Sequence, residues 1–383
     1  MNAHDAERDM PRDSALSKPI LFVTGHAPAY RVGGFERLHQ REQIELALFG
    51  GRSLHGGAGF EQEMPVPHRY VEPHELHSLA ASGDYRAVVC PTGGRLAPLA
   101  TWRGARRARV PLILWASLWA HPRSAAHAFT YLPLRRLYRT ADAVVTYGPH
   151  VSAYVRERGA RNVHVAPQAV DNDFWSATSV QAPNDPHWPT QAPVRFLFVG
   201  RPQQEKGLAV LDEAWRAAEL KPEQAALVLA GVDRSLAAIA PAGPRREGDA
   251  GIVGLGHLEP VELRDVYAAC DALVLPSIAT RTFQEPWGLV INEAMNRGLP
   301  VIASDAVGAT AGGLVRDGVN GLIVPSGDSA ALAHAIARLA EDRQLRARLG
   351  AQGARDVRSY SYDAWAEGFS SALADVNVSR GHW

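Results

Sequence analysis

The chain has 383 residues, 46% of them hydrophobic and 21% charged, and its forty basic and forty acidic side chains cancel to a formal net charge of zero. That balance gives no reason to expect nucleic acid as a partner, and the apolar content suffices for a core in each of two or three domains. The two cysteines, Cys90 and Cys270, lie far apart and outside any CxxC, which argues against a disulfide framework or structural zinc and suits a reducing, cytoplasmic setting.

Residues 1–18 are polar, mixed in charge and interrupted by proline, so they read as a disordered lead-in rather than a signal peptide. Pro19 to Val23 then forms a short apolar strand, followed by a loop ending in Gly33-Gly34 and by helical spacing from Phe35 to Leu48. Further apolar runs follow at 87–90, 110–115, 143–146 and 163–165, with helical stretches at 125–138 and 151–158. The longest apolar run, Val110 to Ala120, is about half the length that a membrane-spanning helix needs. Strands apolar on both faces, alternating with helices, indicate a parallel sheet covered on each side.

The pattern stops at 177–193, where Pro183, Pro186, Pro189 and Pro193 stand among polar residues in a linker composition. It restarts with runs at 194–199, 226–230, 251–253, 272–275, 300–303 and 321–324. The expected organisation is an α/β chain with one Rossmann-like domain at 19–176 and a second at 194–358. A terminal helix at 359–383 bears Tyr360, Tyr362, Trp365 and Phe369, best explained by packing. Two such halves enclose a cleft at the carboxyl ends of their strands, where α/β proteins place ligands.

Two segments of the second half carry chemistry. The first strand runs into Gly200-Arg201 and on to Lys206-Gly207, putting two cations around a tight turn; Arg's fork and Lys's point charge suit a diphosphate. The spacing is not that of a Walker A loop. The other segment, Glu285 to Gly298, reads as a helix opening at Pro286, with the amides of Gly288, Leu289 and Val290 free at its start as an anion site. Glu285 could accept from sugar hydroxyls, and Glu293 from a ribose diol.

Gly200-Arg201, Lys206-Gly207 and two glutamates seven residues apart, followed by Gly298-Leu-Pro-Val-Ile-Ala-Ser-Asp305 and Asp317-Gly-Val-Asn-Gly321, resemble the retaining glycosyltransferases of family 4, which have the GT-B fold. The resemblance is specific over 194–375 and looser over 19–175. It implies two Rossmann-like domains facing across a deep cleft, and a nucleotide-diphospho sugar as donor. Arg201 and Lys206 would contact the diphosphate, Glu285 the donor sugar and Glu293 the ribose. Gly33 and Gly34 would form a glycine loop that lets donor and acceptor approach the backbone, with a plain strand-to-helix turn as the alternative. A histidine beyond the strand ending near Trp115 would complete the catalytic set, with His121 favoured over His127.

The resemblance further implies transfer with retained anomeric configuration to a saccharide, lipid-linked or small-molecule acceptor, in glycan or glycoconjugate biosynthesis, with no metal or other cofactor. Asp171-Asn172-Asp173 is formally a DxD but matches the turn by which the family leaves its first domain. Two departures stand out: Gly313 where relatives often carry glutamate, and a long segment, Ile278 to Gln284, ahead of Glu285. Arginines at 103, 106, 107, 109, 135, 136 and 139, beside Phe129, Tyr131, Leu132 and Leu134, suit peripheral docking on an anionic membrane. A nucleotide-sugar epimerase of the same fold, and a catalytically silent nucleotide-sugar binder, remain alternatives.

Overall fold

The computed structural model describes residues 18–50, 64–94, 96–178, 183, 185, 188–233 and 251–380. The expected N-terminal tail and much of the expected linker lie outside the described residues. Among them, β1 (Ile20–Thr24), β2 (Ile44–Leu48), β3 (His68–Tyr70), β4 (Ala87–Pro91), β5 (Leu112–Ala116), β6 (Ala143–Thr146) and β7 (Val163–Val165) form a sheet in the order β3-β2-β1-β4-β5-β6-β7. A second sheet, in the order β10-β9-β8-β11-β12-β13, comprises β8 (Arg195–Val199), β9 (Ala226–Ala230), β10 (Ile252–Gly256), β11 (Ala272–Leu275), β12 (Val301–Ser304) and β13 (Gly321–Val324). Neighbouring strands in both sheets run parallel.

Helices α1 (Ala29–Glu42), α2 (Leu76–Ala80), α3 (Ala97–Ala108), α4 (Ala125–Thr140) and α5 (Pro149–Glu157) belong to the first half. After the junction helix α6 (Asn172–Ser176), the second half contributes α7 (Leu208–Ala217), α8 (Pro260–Ala268), α9 (Val290–Asn296), α10 (Gly308–Ala311), α11 (Ser329–Glu341) and α12 (Arg343–Asp356). No helix among the described residues is long and apolar enough to cross a membrane.

Side chains alternate across each strand, so every central strand feeds two cores. Ile20 and Phe22 enter one cluster, with Phe35 and Trp115, while Leu21 and Val23 enter another, with Leu76, Tyr138 and Val151. In the second sheet Phe196 and Phe198 face Trp215 and Ile336, whereas Leu197 faces Tyr267, Ile291 and Met295. This two-sided burial is why the strands read as continuous apolar runs.

Two expectations for the first half are corrected. The helical spacing expected over Phe35–Leu48 breaks at Gln43, whose φ of 54° ends α1, and Ile44–Leu48 pairs with Ile20–Thr24 as β2. Pairing to a buried strand overrides a short apolar run that fits either period. Gly33 and Gly34 lie inside α1 rather than in a loop. The last helix, α13 (Tyr362–Arg380), crosses back onto α1, and a Cβ on Gly33 would stand 2.4 Å from the Tyr362 ring and one on Gly34 3.1 Å from Trp365. These glycines therefore let two helices approach. Trp365, Phe369, Leu373 and Val376 of α13 complete the core around Phe22, so the end of the chain closes its beginning.

A buried chain of hydrogen bonds ties the halves together behind this contact. Arg31, 4% exposed, donates to Gln168 Oε1 at 2.5 Å, and its guanidinium lies 5.2–5.4 Å from the ring centres of Tyr30, Trp115 and Trp365. The Gln168 carbonyl accepts from Asn292 Nδ2 at 3.0 Å, and Asn292 Oδ1 accepts from Trp287 Nε1 at 2.8 Å.

Candidate active site

Two of the charged residues singled out in the second half, Lys206 and Glu285, meet at the carboxyl ends of β8 and β11. Beyond β8 the chain makes one tight turn through Gln204–Lys206 to Gly207, whose φ is 72°. A Cβ at Gly207 would meet the Pro276 carbonyl oxygen at 2.0 Å, so glycine is required for this turn to pack on the end of β11. That packing brings Lys206 Nζ within 2.5 Å of Glu285 Oε2. Glu285 is 8% exposed and also lies 3.4 Å from the Ser277 hydroxyl. Lys206 and Glu285 thus form one ion pair. Arg201 is exposed, and its guanidinium has no hydrogen bond or ion pair among the described residues.

The helix expected from Pro286 begins later, at Val290. Gly288 has φ 91°, which helical backbone cannot pass through, and the preceding residues run beside the segment that leads into α10. The Glu285 carbonyl accepts from Gly308 N at 3.0 Å and from Trp119 Nε1 at 3.1 Å, and Ala309 N donates to Trp287 O at 2.8 Å. The amides of Gly288, Leu289 and Val290 still precede or open the helix, and they donate to no acceptor among the described residues.

Glu293 stands one turn into α9, half-buried, and accepts from the Tyr267 hydroxyl at 2.8 Å. Burial pushes its carboxyl up to about 7, against the opposing effect of the tyrosine hydrogen bond. Burial and the neighbouring Glu293 together hold the Tyr267 phenol well above its ordinary range.

From the first half, the loop after β5 reaches across. His121 lies 3.4 Å from the Tyr154 hydroxyl and edge-on to Tyr131, with ring centres 5.1 Å apart. It lines a cavity of about 400 Å³ with Trp119, Arg281, Phe283 and Pro286. Glu285 lies between Gln284 and Pro286 of that wall. His127 falls in α4, and its side chain is outside the described part of the structure. Asp171 of the DxD caps α6, accepting from Phe174 N at 2.9 Å. Gly33 and Gly34 face α13 and do not join the cluster.

The sequence reading passed over two residues. Trp119 reaches the Glu285 carbonyl, as noted above. His150, at the start of α5, sits 3.4 Å from the Pro286 carbonyl and 5.2 Å, ring to ring, from Trp119. Burial lowers its pKa, against the opposing effect of that hydrogen bond. Its signal was available: Gly148-Pro149, two residues beyond the end of β6, marks a helix start at a strand's carboxyl end.

A protein-family model described as glycosyl transferases group 1 matches residues 193–342. D-inositol 3-phosphate glycosyltransferase of Corynebacterium glutamicum is 36% identical over 203 residues, 47% of this chain and 44% of that protein. The chain therefore spans less than half of that relative's length. The enzyme of the same name from Xylanimonas cellulosilytica is 30% identical over 309 residues, covering 73% of this chain and 70% of its own. HepE of Anabaena, crystallised with UDP-glucose, superposes with a TM-score of 0.70 at 20% identity, over 93% of this chain and 99% of that one. A relative matched along most of both chains, the motif half recognised by the family model and the paired parallel sheets agree: this chain belongs to the glycosyl transferases group 1, of family 4 type and GT-B fold.

Proposed function

We propose that the chain transfers a sugar from a nucleotide-diphospho donor to an acceptor hydroxyl, with retention at the anomeric carbon and without a metal. The observation that carries this reading is the Lys206–Glu285 pair, which joins the turn beyond β8 to the segment leading to the amides of 288–290, with His121 in the cavity whose wall includes Gln284 and Pro286. Arg201, Lys206 and the amides supply the positive charge that a departing nucleoside diphosphate needs, each well-placed donor contributing about 3 kcal/mol by analogy with oxyanion holes. Glu285 accepts from Lys206 and would accept from sugar hydroxyls. Glu293 would accept from the ribose diol.

Among the described residues lining the 400 Å³ cavity there is no Asp or Glu, and Glu285 is held by Lys206. That supports same-face displacement over a carboxylate nucleophile. The C1–O bond to the diphosphate breaks, a C1–O bond to the acceptor forms on the same face, and the diphosphate oxygen takes the acceptor's proton. Trp119 and His150 fix the Glu285–Pro286 backbone, and closure of the cleft excludes water.

Two relatives named for inositol 3-phosphate support a polyol or saccharide as acceptor, soluble or lipid-linked. Membrane docking belongs to the same reading. Arg106 of α3 and Arg136 of α4 both lie over the Trp102 ring, at 5.3 and 5.6 Å, and α4 also carries exposed Phe129 and Leu132. Such a basic, apolar face suits anionic lipid, and loss of sedimentation with phosphatidylglycerol vesicles at high salt tests it.

The decisive experiment incubates the protein with UDP-glucose, UDP-N-acetylglucosamine and GDP-mannose in EDTA, and reads products and anomeric couplings by NMR. Retained configuration in a new glycoside is the expected result. An isomerised nucleotide sugar would make the protein an epimerase, nucleotide binding without turnover a silent binder, and activity abolished by EDTA would remove the metal-free mechanism.

A further inference from the structure

We propose that a small inorganic anion, of chloride size, binds at the junction of the two halves, held by the Arg31 guanidinium and the Gln168 carboxamide. Arg31 stands in the first turn of α1, which carries no acid, and is 4% exposed. Its side chain donates to a neutral group, Gln168 Oε1, and makes no ion pair among the described residues. A guanidinium does not shed its proton, so burying it without a counter-charge is costly. The acids that act electrostatically on the neighbouring Tyr362 are Asp171, Glu36 and Glu293. Asp171 caps α6 and Glu293 accepts from Tyr267, and none of the three pairs with Arg31.

The groups around Arg31 add donors rather than acceptors. Gln168 is 1% exposed, and because its Oε1 faces Arg31, its Nε2 stands beside the same guanidinium. That amide nitrogen is buried with no acceptor among the described residues, and the Gln168 carbonyl is already engaged by Asn292. Two indoles share the condition. Trp115 and Trp365, whose ring centres lie 5.2 and 5.4 Å from the guanidinium carbon, each bury Nε1 without an acceptor. Buried donors of this kind call for a water or an ion, and the fixed charge of Arg31 at the positive end of α1 selects a negative ion. Size narrows the choice. Arg31, Gln168, Trp115 and Trp365 are 0–9% exposed and closely packed, so a tetrahedral oxyanion would displace the rings whereas a halide would not. Bound there, the anion ties α1 and α13 to the chain at Gln168, and through Asn292 to the second half.

Thermal unfolding of the full chain in sodium chloride, sodium bromide and sodium gluconate at equal ionic strength tests the site on the wild type, Arg31→Met and Gln168→Glu. Chloride and bromide should raise the wild-type Tm above its gluconate value by about 3 °C once the halide is in about tenfold excess over its Kd. Gln168→Glu sets a carboxylate of the same shape beside Arg31 and leaves the backbone bond to Asn292 in place, so its Tm should show no such increment. Arg31→Met removes the charge and should lose the increment as well; where that variant does not fold, Gln168→Glu decides. Crystals grown in bromide should give an anomalous peak against the Arg31 guanidinium in the wild type and none in Gln168→Glu. An equal halide increment in Gln168→Glu, or no bromide beside Arg31, would overturn the proposal and leave water as the partner of these donors. No arm depends on sugar transfer, so halide binding in a protein that transfers nothing would defeat the transfer reading and leave this site standing.

Discussion

The two halves share a βα architecture but contribute to the cleft in different ways. The second half contributes charge between its strand ends and the helices that follow: Arg201 and Lys206 lie between β8 and α7, Glu285 between β11 and α9, and Glu293 within α9. The first half contributes walls, through Trp119, His121 and His150, and is itself finished by a helix from the far end of the chain. A turn that must hold a diphosphate keeps its residue types close in sequence, so that half is recognisable from its residues. A wall needs only shape and can be assembled from distant segments. The comparison makes separate demands of the two halves.

The largest effect should come from the ion pair. Lys206→Ala and Glu285→Ala should each lower transfer by about 10²–10³-fold, as loss of a transition-state donor does. Each also leaves its partner, Glu285 at 10% or Lys206 at 21% side-chain exposure, without a counter-charge, so Tm should fall in both. The double variant should be less destabilised than the sum of the singles, which a double-mutant cycle in Tm and rate measures. Wild-type turnover in both singles would remove the site from the second half.

The first half should break through packing. Trp365→Ala deletes a fully buried ring that touches Phe22, Phe35, Trp115 and Phe369, and should cost about 3–5 kcal/mol in chemical denaturation. Because α13 closes that core from the chain terminus, the first sheet should lose protection from hydrogen exchange before the second. Simultaneous loss in both sheets would mean that the halves unfold as one unit.

Asn292 tests the link between them. Asn292→Ala leaves Trp287 Nε1 and the Gln168 carbonyl unpaired in a buried junction, at a cost of about 1–3 kcal/mol for each group. Trp287 lies two residues beyond Glu285, so transfer should slow even where the protein remains folded. Stability reduced with an unchanged rate would confine Asn292 to packing.

How far the sequence could be read follows the same division. The alternation of strands and helices was visible because parallel strands are apolar on both faces, and the donor turns were visible because their charges are local. β2 was read as helix because Ile44–Leu48 is apolar at either period, and only its pairing with β1 decides between them. The glycines at 33 and 34 read as a loop because the rings packed against them, Tyr362 and Trp365, are more than three hundred residues away. His150 and Trp119 went unnoticed for a related reason: each acts on the backbone of a segment in the other half.

The subtlest prediction concerns Glu293. Its carboxyl titrates near 7 in the folded protein against 4.5 when unperturbed, so between those values the folded state holds a proton that the unfolded chain has released. Stability should accordingly be highest below about pH 4.5 with respect to this group, and should fall as pH rises toward 7. Glu293→Gln should remove that slope. Nucleotide binding should move the other way, because a ribose diol donates best to an ionised carboxylate, so affinity should rise severalfold as pH passes 7. Calorimetric titration with UDP and GDP from pH 6 to 8 measures this. An affinity that stays flat across that range in the wild type, or keeps its slope in Glu293→Gln, would separate the buried acid of α9 from the ribose. The donor site would then consist of the turn beyond β8 and the amides ahead of the helix.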